Sequence, residues 1–454
     1  MINNTPQREN FGSKIGIIMA SAGSAIGLGN IWKFPYEAGK NGGAAFIIVY
    51  LGAIMLVGFS IMIAEYVIGR RGGRNIIGSF KVLAPKSYWW TMGIWGLIAA
   101  VAILSFYGLV AGWTLEYLFQ ASRNMFVGQS SEELKEQFSL FVQHPLRPIF
   151  WQVLFMVMTC LMIISGVKNG IERYSRILMP ILFVTIVILA IRSVTLPGAS
   201  AGVEFIFKPD FSVITGHTIL NALGLAFFSL SLGMGTIITY GSYVSKNDSL
   251  ISTSLQVIIL DTLIAILAGL AIFPAVFAYG IEPDSGPSLV FITLPNIFQQ
   301  MPGGMVWGIL FFLLLAVAAL TSSVSLLEVV AAYISEELKV KRSTATICST
   351  IFITIIGVFC SLSQGVWSEF KIVGLNLFDF LDVLTSSYLL PIGGVIISLF
   401  VGWRMPKADF IDELQSGANV KIYVINLLRF ILRYIAPAAI LFVFLSKIGI
   451  IYNV

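Results

Sequence analysis

Charge is scarce in this sequence. Only 11% of its 454 residues are Asp, Glu, Lys or Arg, where a soluble chain would carry roughly 25%. That excludes a set of water-facing domains. Cysteine is nearly absent too, and Cys160, Cys348 and Cys360 all sit in apolar runs, so no disulfide framework is implied. The 2 histidines, His144 and His217, lie near span edges and read as surface residues. A His or Cys metal cluster is excluded. The formal charge of +5 raises the question of nucleic acid, yet the basic residues fall in short segments between apolar runs, which is a topology signal. No nucleic-acid partner is expected.

What the chain has is hydrocarbon. Hydrophobic residues make up 57% of it, mean hydropathy is +0.89, and runs of about 20 apolar residues, each able to cross a bilayer as a helix, recur along it. The polar N-terminus lacks a small-residue cleavage site, so the first run is read as a span and not as a removed signal. Runs bounded by charge, Pro or Gly predict eleven spans: 12–38, 43–69, 88–121, 149–167, 172–195, 216–243, 250–280, 303–337, 343–361, 375–402 and 422–451. Most of the 28 Lys and Arg residues, among them Arg70, Arg71, Arg74, Lys168, Lys246 and Arg404, then fall on one side. The positive-inside rule makes that side cytoplasmic, with a cytoplasmic N-terminus, an external C-terminus and a place in the cell's inner (plasma) membrane. Segments 132–141 and 288–300 are expected to form short helices over the external mouth.

Two spans are interrupted. The first contains Gly23-Ser24-Ala25-Ile26-Gly27-Leu28-Gly29-Asn30 and the sixth Ser229-Leu230-Ser231-Leu232-Gly233-Met234-Gly235-Thr236. Each interior Gly costs a helix about 1 kcal/mol relative to Ala, so both are expected to break near their middle. Small residues at that depth serve close helix packing; broken backbone there is otherwise tolerated where it lines a protein-enclosed or watery cavity. The two breaks resemble each other and open two five-helix halves, 12–195 and 216–402. Five being odd, the second half inserts upside down. An all-α integral membrane fold with two inverted five-helix repeats, broken first and sixth helices, a tail at 1–11 and an extra helix at 422–451 points to a secondary transporter with a midplane site. Freed amides suit a carboxylate and freed carbonyls a bare cation such as sodium. Amino acids fit that pairing.

The stretch Gly23 to Tyr36, followed by Asn41-Gly42-Gly43, resembles the signature of the neurotransmitter:sodium symporter family. The similarity runs through Phe227 to Gly233, Gly286 to Phe291 and Leu320 to Ser323, and so covers nearly the whole chain. This family is one of those from which the broken-helix rule was drawn. The look is that of bacterial eleven-span members that carry hydrophobic amino acids. The resemblance implies a substrate carboxylate held by amides near Leu28 and Gly29 and by the Tyr107 hydroxyl. It implies a first sodium at Ala25, Asn30, Ser229 and Asp261, and a second at Gly23, Ile26, Ala318, Thr321 and Ser322. Ile103, Phe228, Met234 and Leu326 would line the side-chain pocket with Ser231 as a small polar partner, which suits leucine or tryptophan. Without the family, Thr321-Ser322-Ser323 would read as helix packing.

Departures from the family pattern carry expectations of their own. Asp261 stands where chloride-dependent relatives have Asn, and Leu225 and Ala265 stand where they have Gln and Ser, so transport with two sodium ions and no chloride is implied. Gly27 replaces the Asp of amine carriers, which disfavours amine substrates. Lys33 and Asp382, with Tyr107 and Phe228, match the outer gate, Lys giving a weaker, mobile clamp than Arg. Arg8, Phe11, Ser242, Tyr243 and Glu336 match the inner one, and Glu65 resembles a carboxyl that braces the sixth helix. Gly170 and Pro180 have the spacing of a fifth-helix hinge that releases the second sodium. An amino-acid sensor that binds without transport is the alternative. A membrane enzyme is disfavoured because neither Asp261 nor Asp382 has a Gly-x-Gly-Asp context. No oligomer is required by these readings.

Overall fold

The computed structural model describes residues 9–280 and 289–447. Among these the chain is helical, and helix after helix packs around one buried centre. Among the described residues nine helices are long and apolar enough to cross a membrane, or ten if the pair Lys14–Ala25 and Gly29–Lys40, bent by 52°, is one span. The sixth expected span is present as Gly216–Ser229 and Thr236–Gly241, neither of which is long enough to cross alone.

Local chemistry sets the ends. The Ser13 hydroxyl accepts from Gly16 N to start the first helix, and Ser249 does the same for Leu250–Ala278. Thr215 with Thr218 forms a reciprocal cap on the sixth span. The second span stops at Gly73, whose φ of 57° closes the last turn back onto Gly69. The 132–141 segment is a helix, Ser131–Gln143, opened by a capping box between Ser130 and Glu133. The 288–300 segment is helical over Leu289–Thr293 and Leu294–Gln300; Ser288 lies outside the described residues, as do Gly286, Pro287, Arg8 and the end of the eleventh span.

Boundaries shift by a few residues. The fourth span is Arg147–Ile164, and the fifth begins early, at Val167, because Val167–Glu172 winds as a wide π-helical turn. Among the described residues, three short helices stand where plain loops were expected, Ile76–Leu83, Ser200–Phe207 and Lys407–Gln415. Eight or nine residues are too few to register as an apolar run. Large apolar side chains point outward on the fourth, fifth and ninth spans, for example Leu161, Val184 and Phe352. These form the lipid-facing belt.

Candidate functional site

Both expected breaks are present, at Ile26–Leu28 and over 230–235. The second is made of left-handed backbone, with φ of 54° at Ser231 and 81° at Gly233 and Gly235. Such strain at a non-glycine residue marks a site the surroundings over-determine. The Ser231 hydroxyl donates to Ser24 O at 2.7 Å and ties one break to the other. Gly233 N donates to Glu65 Oε1 at 2.7 Å, so Glu65 braces the sixth span.

Between the breaks lies a cavity of ≈ 30 Å³. Its polar rim is Ser24, Ala25, Gly27, Gly29 and Ser322, and its apolar wall is Ile103, Met234 and Leu326. Above it opens a vestibule of ≈ 280 Å³ that reaches Trp32, Lys33, Asp379 and Asp382. The two share Leu28, Gly29, Tyr107 and Phe228, so Phe228 and Tyr107 form the partition. Leu28 N donates to the Tyr107 hydroxyl at 3.3 Å. Lys33 and Asp382 do not form an ion pair among the described residues; Lys33 Nζ instead sits 4.3 Å from the centroid of the Phe228 ring. This mouth is open.

Two oxygen clusters flank the cavity. In one, the fully buried Asp261 carboxylate accepts from Asn30 Nδ2 at 2.8 Å and from the Ser229 hydroxyl at 2.9 Å. Tyr50 donates to Ser229 Oγ at 3.0 Å behind them. No described Lys or Arg reaches Asp261, in contrast to the buried pairs Arg342–Glu328 and Arg70–Glu413. In the other, Ser322 Oγ stands 3.2 Å from each of the carbonyl oxygens of Gly23, Ser24 and Ile26. Thr321 Oγ1 lies 3.0 Å from Ala318 O and 3.5 Å from Ile26 O. A hydroxyl has one hydrogen for three carbonyls, so oxygen lone pairs outnumber donors. Such a set fits a hard cation.

The opposite end is shut. Phe11 packs edge-on against Tyr240 and Tyr243, and its N–H donates to Tyr243 O. The Tyr243 hydroxyl donates to Glu328 Oε1 at 2.6 Å, and Arg342 grips both oxygens of the same carboxylate at 3.0 and 2.6 Å. Glu172 accepts from Gly12 N and the Ser13 hydroxyl, and Glu9 from Val167 N, which straps the start of the chain to the fifth span. Glu336 accepts from Asn75 N at 2.8 Å; Arg8, expected in the same gate, lies outside the described residues. Gly170 falls in the π-helical turn and the helix runs unbroken through Pro180. The expected unwinding is not a feature of this conformation.

The sequence profile of the sodium:neurotransmitter symporter family matches residues 8–136 and 142–453. The chain belongs to that family. It is a sodium-dependent symporter, a multi-pass membrane protein and not an enzyme. The symporter is 40% identical over 97% of its length, and 98% of the other's, to the uncharacterized sodium-dependent transporter YhdH of Bacillus subtilis (strain 168). It is 35% identical, over 99% of its length and 100% of the other's, to an uncharacterized sodium-dependent transporter of Haemophilus influenzae. The crystal structure of MhsT in complex with L-phenylalanine superposes with a TM-score of 0.89 at 48% identity, covering 97% of this chain and 100% of that one.

The residues expected to meet substrate and sodium lie around the symporter's cavity and the two oxygen clusters, whereas Lys33 and Asp382 line the vestibule, Phe11, Tyr243 and Glu336 lie at the opposite end, and Gly170 and Pro180 stay on the fifth span. Sequence reasoning missed Tyr50, Glu328 and Arg342. Tyr50 is an aromatic in an apolar span and carries no local signal, whereas Glu328, a carboxylate inside the eighth span, could have been flagged as Asp261 was. Gly27 yields a test. A Cβ there would stand 2.5 Å from Ser322 Oγ and 2.9 Å from the Tyr107 hydroxyl. Ser322 is held by three carbonyls and cannot retreat freely, so Gly27→Ala should weaken sodium-dependent amino-acid binding by about tenfold or more, the range of overpacking. Scintillation-proximity binding on purified protein measures it; unchanged affinity would place the substrate elsewhere.

Proposed function

We propose that this symporter carries hydrophobic L-amino acids into the cell with two sodium ions and without chloride, by alternating access. The observation that carries the reading is the apolar pocket of Ile103, Met234 and Leu326 lying between two oxygen clusters. The α-carboxylate of the substrate would meet the Leu28 and Gly29 amides and the Tyr107 hydroxyl. Its side chain would sit against Phe228, Ile103 and Met234, whose flexible thioether repacks around aromatic and branched aliphatic groups alike. Phenylalanine in MhsT, leucine and tryptophan are of this kind.

Asn30, Ser229 and Asp261, with the Ala25 carbonyl, would hold the first sodium as co-substrate; Gly23, Ile26, Ala318, Thr321 and Ser322 would hold the second. Leu225 and Ala265 are buried and bring no polar group to the Asp261 side, which supports chloride independence. Two sodium ions moving with a zwitterion gain about 4.6 kcal/mol per 100 mV. A tenfold sodium gradient adds ~1.4 per ion, enough for accumulation on the order of 10⁵-fold.

In this reading the N-terminus is cytoplasmic and the C-terminus external, and the halves 12–195 and 216–402 rock against each other. The Lys33 and Asp382 mouth is the outer gate, with Phe228 and Tyr107 as its lid. Phe11, Tyr243, Glu328 and Arg342, with Glu336 and Arg8, close the inner one. Gly170 and Pro180 form the hinge. Pro180→Ala restores a backbone donor and should slow release of the second sodium to the inside several-fold, read by stopped-flow on proteoliposomes. An unchanged rate would reject the hinge.

The deciding experiment is uptake of labelled phenylalanine, leucine and tryptophan into proteoliposomes under a sodium gradient, with choline and gluconate replacements. Sodium-dependent accumulation that survives gluconate supports the whole reading. Loss in gluconate would sink chloride independence, and binding without accumulation would make the chain a sensor.

A further inference from the structure

Arg429 and Arg433 lie four residues apart within the membrane-crossing helix Ile422–Ser446. Both side chains are half-buried; two other guanidinium groups that reach into the fold are gripped by buried carboxylates, Arg70 by Glu413 and Arg342 by Glu328. Arg429 and Arg433 have no ion pair among the described residues. Arg429 Nη1 and Arg433 Nε are buried with no hydrogen-bond partner. Like charges at this helical spacing repel, and an unpaired buried donor is costly. A pair so placed is incomplete as it stands.

The site is nonetheless built. The Arg433 guanidinium lies 3.8 Å from the centroid of the Trp403 ring and 5.6 Å from that of Tyr434. Trp403 Nε1 donates to Arg433 O at 3.0 Å, and Arg429 Nη2 to Met405 O at 2.7 Å. The tenth and eleventh spans cross at Gly402, where an added Cβ would stand 2.8 Å from the Arg433 Cα. Both are π-helical there, over Phe400–Arg404 and Ile431–Ile435, and such turns recur at functional positions.

Its depth identifies the occupant. The tenth span ends at Arg404, and the next helix, Lys407–Gln415, carries Asp409 and Asp412 that pair with Arg71. Water begins within a few residues of Trp403. Trp403 and Tyr434 are 53% and 46% exposed, as aromatic rings are at the headgroup level. Phe430, Tyr434 and Leu441 continue an exposed apolar face along the eleventh span. A ligand here has phosphate at one end and hydrocarbon at the other.

We propose that Arg429 and Arg433, framed by Trp403 and Tyr434, bind the phosphate of an anionic phospholipid in the leaflet on the Phe11 and Arg70 side of the molecule. Guanidinium groups match phosphate oxygens in bidentate fashion, and basic pockets between spans on the cytoplasmic side recognise such headgroups. The bound lipid neutralises both cations, while its chains lie along Phe430 and Leu441. The proposal needs only the chain's place in a membrane and is independent of its substrate.

The test is native mass spectrometry of the full-length protein delipidated and titrated with phosphatidylglycerol or phosphatidylcholine of identical chains. Two cations near the surface should favour phosphatidylglycerol by about thirtyfold. R429Q/R433Q should abolish that preference, Arg433→Lys should keep part of it, and inorganic phosphate should fail to displace the lipid. Equal retention of both lipids by the unmodified protein would overturn the proposal, whatever the variants do. So would an undiminished preference in a double variant that still melts cooperatively, or displacement by inorganic phosphate at matched concentration.

Discussion

Asp261→Asn should lower sodium affinity by about 100-fold, the effect of removing one charge from a buried, hydrogen-bonded pair worth 2–5 kcal/mol. The carboxylate is fully buried and collects hydrogen bonds from Asn30 and Ser229. No described cation offsets it. A carboxylate at that depth costs at least ~2.5 kcal/mol unless something compensates, and a sodium ion beside it is the compensation the proposed cycle supplies. Asn has the same shape and keeps an oxygen for the same donors, so the fold should survive. Sodium titration of amino-acid binding, with a melting curve alongside, reads both effects. If the melting curve holds and sodium affinity does not change, the charge is not used by the ion.

Glu328→Gln should shift the protein away from the closed arrangement of its inner end by a factor on the order of 10²–10³. Glu328 is fully buried, holds Arg342 through both oxygens and accepts from the Tyr243 hydroxyl. An amide retains one acceptor but no charge, so Arg342 loses its counter-ion, a loss of ~3–5 kcal/mol in buried pairs. Opening that end would relieve it by wetting Arg342. With the three cysteines replaced and Ala22→Cys as reporter on Lys14–Ala25, thiol labelling from that side should rise steeply. Flat labelling together with a lower melting temperature would assign the trio to fold stability alone.

Much of the architecture was legible because bilayer-spanning length and apolar composition are local properties. Most spans were placed to within a few residues. The breaks were legible for the same reason: Gly27-Leu28-Gly29 and Gly233-Met234-Gly235 weaken a helix wherever they stand. The family signature then assigned Tyr107, Asp261, Thr321 and Ser322 to positions that meet around the cavity. Short helices such as Ile76–Leu83 escaped because eight residues carry too little pattern.

What stayed hidden depends on where distant helices cross. Glu328 and Glu336 share the helix Gly304–Glu337, about two turns apart. Nothing along that helix says that Arg342 closes on Glu328 while Asn75 reaches Glu336. Tyr50 is one aromatic among many until the second span lays its hydroxyl on Ser229. Arg429 and Arg433 fall within the expected eleventh span, but nothing along it says that Trp403 and Gly402 meet Arg433 while no described carboxylate pairs with either. By itself the sequence determined where the spans lie and where they break, because a helix in lipid must satisfy its backbone locally. The tertiary structure alone decided which buried charges are paired and which are not, because a charge is neutralised only by groups within a few ångströms, and in this fold those come from helices far apart in the chain.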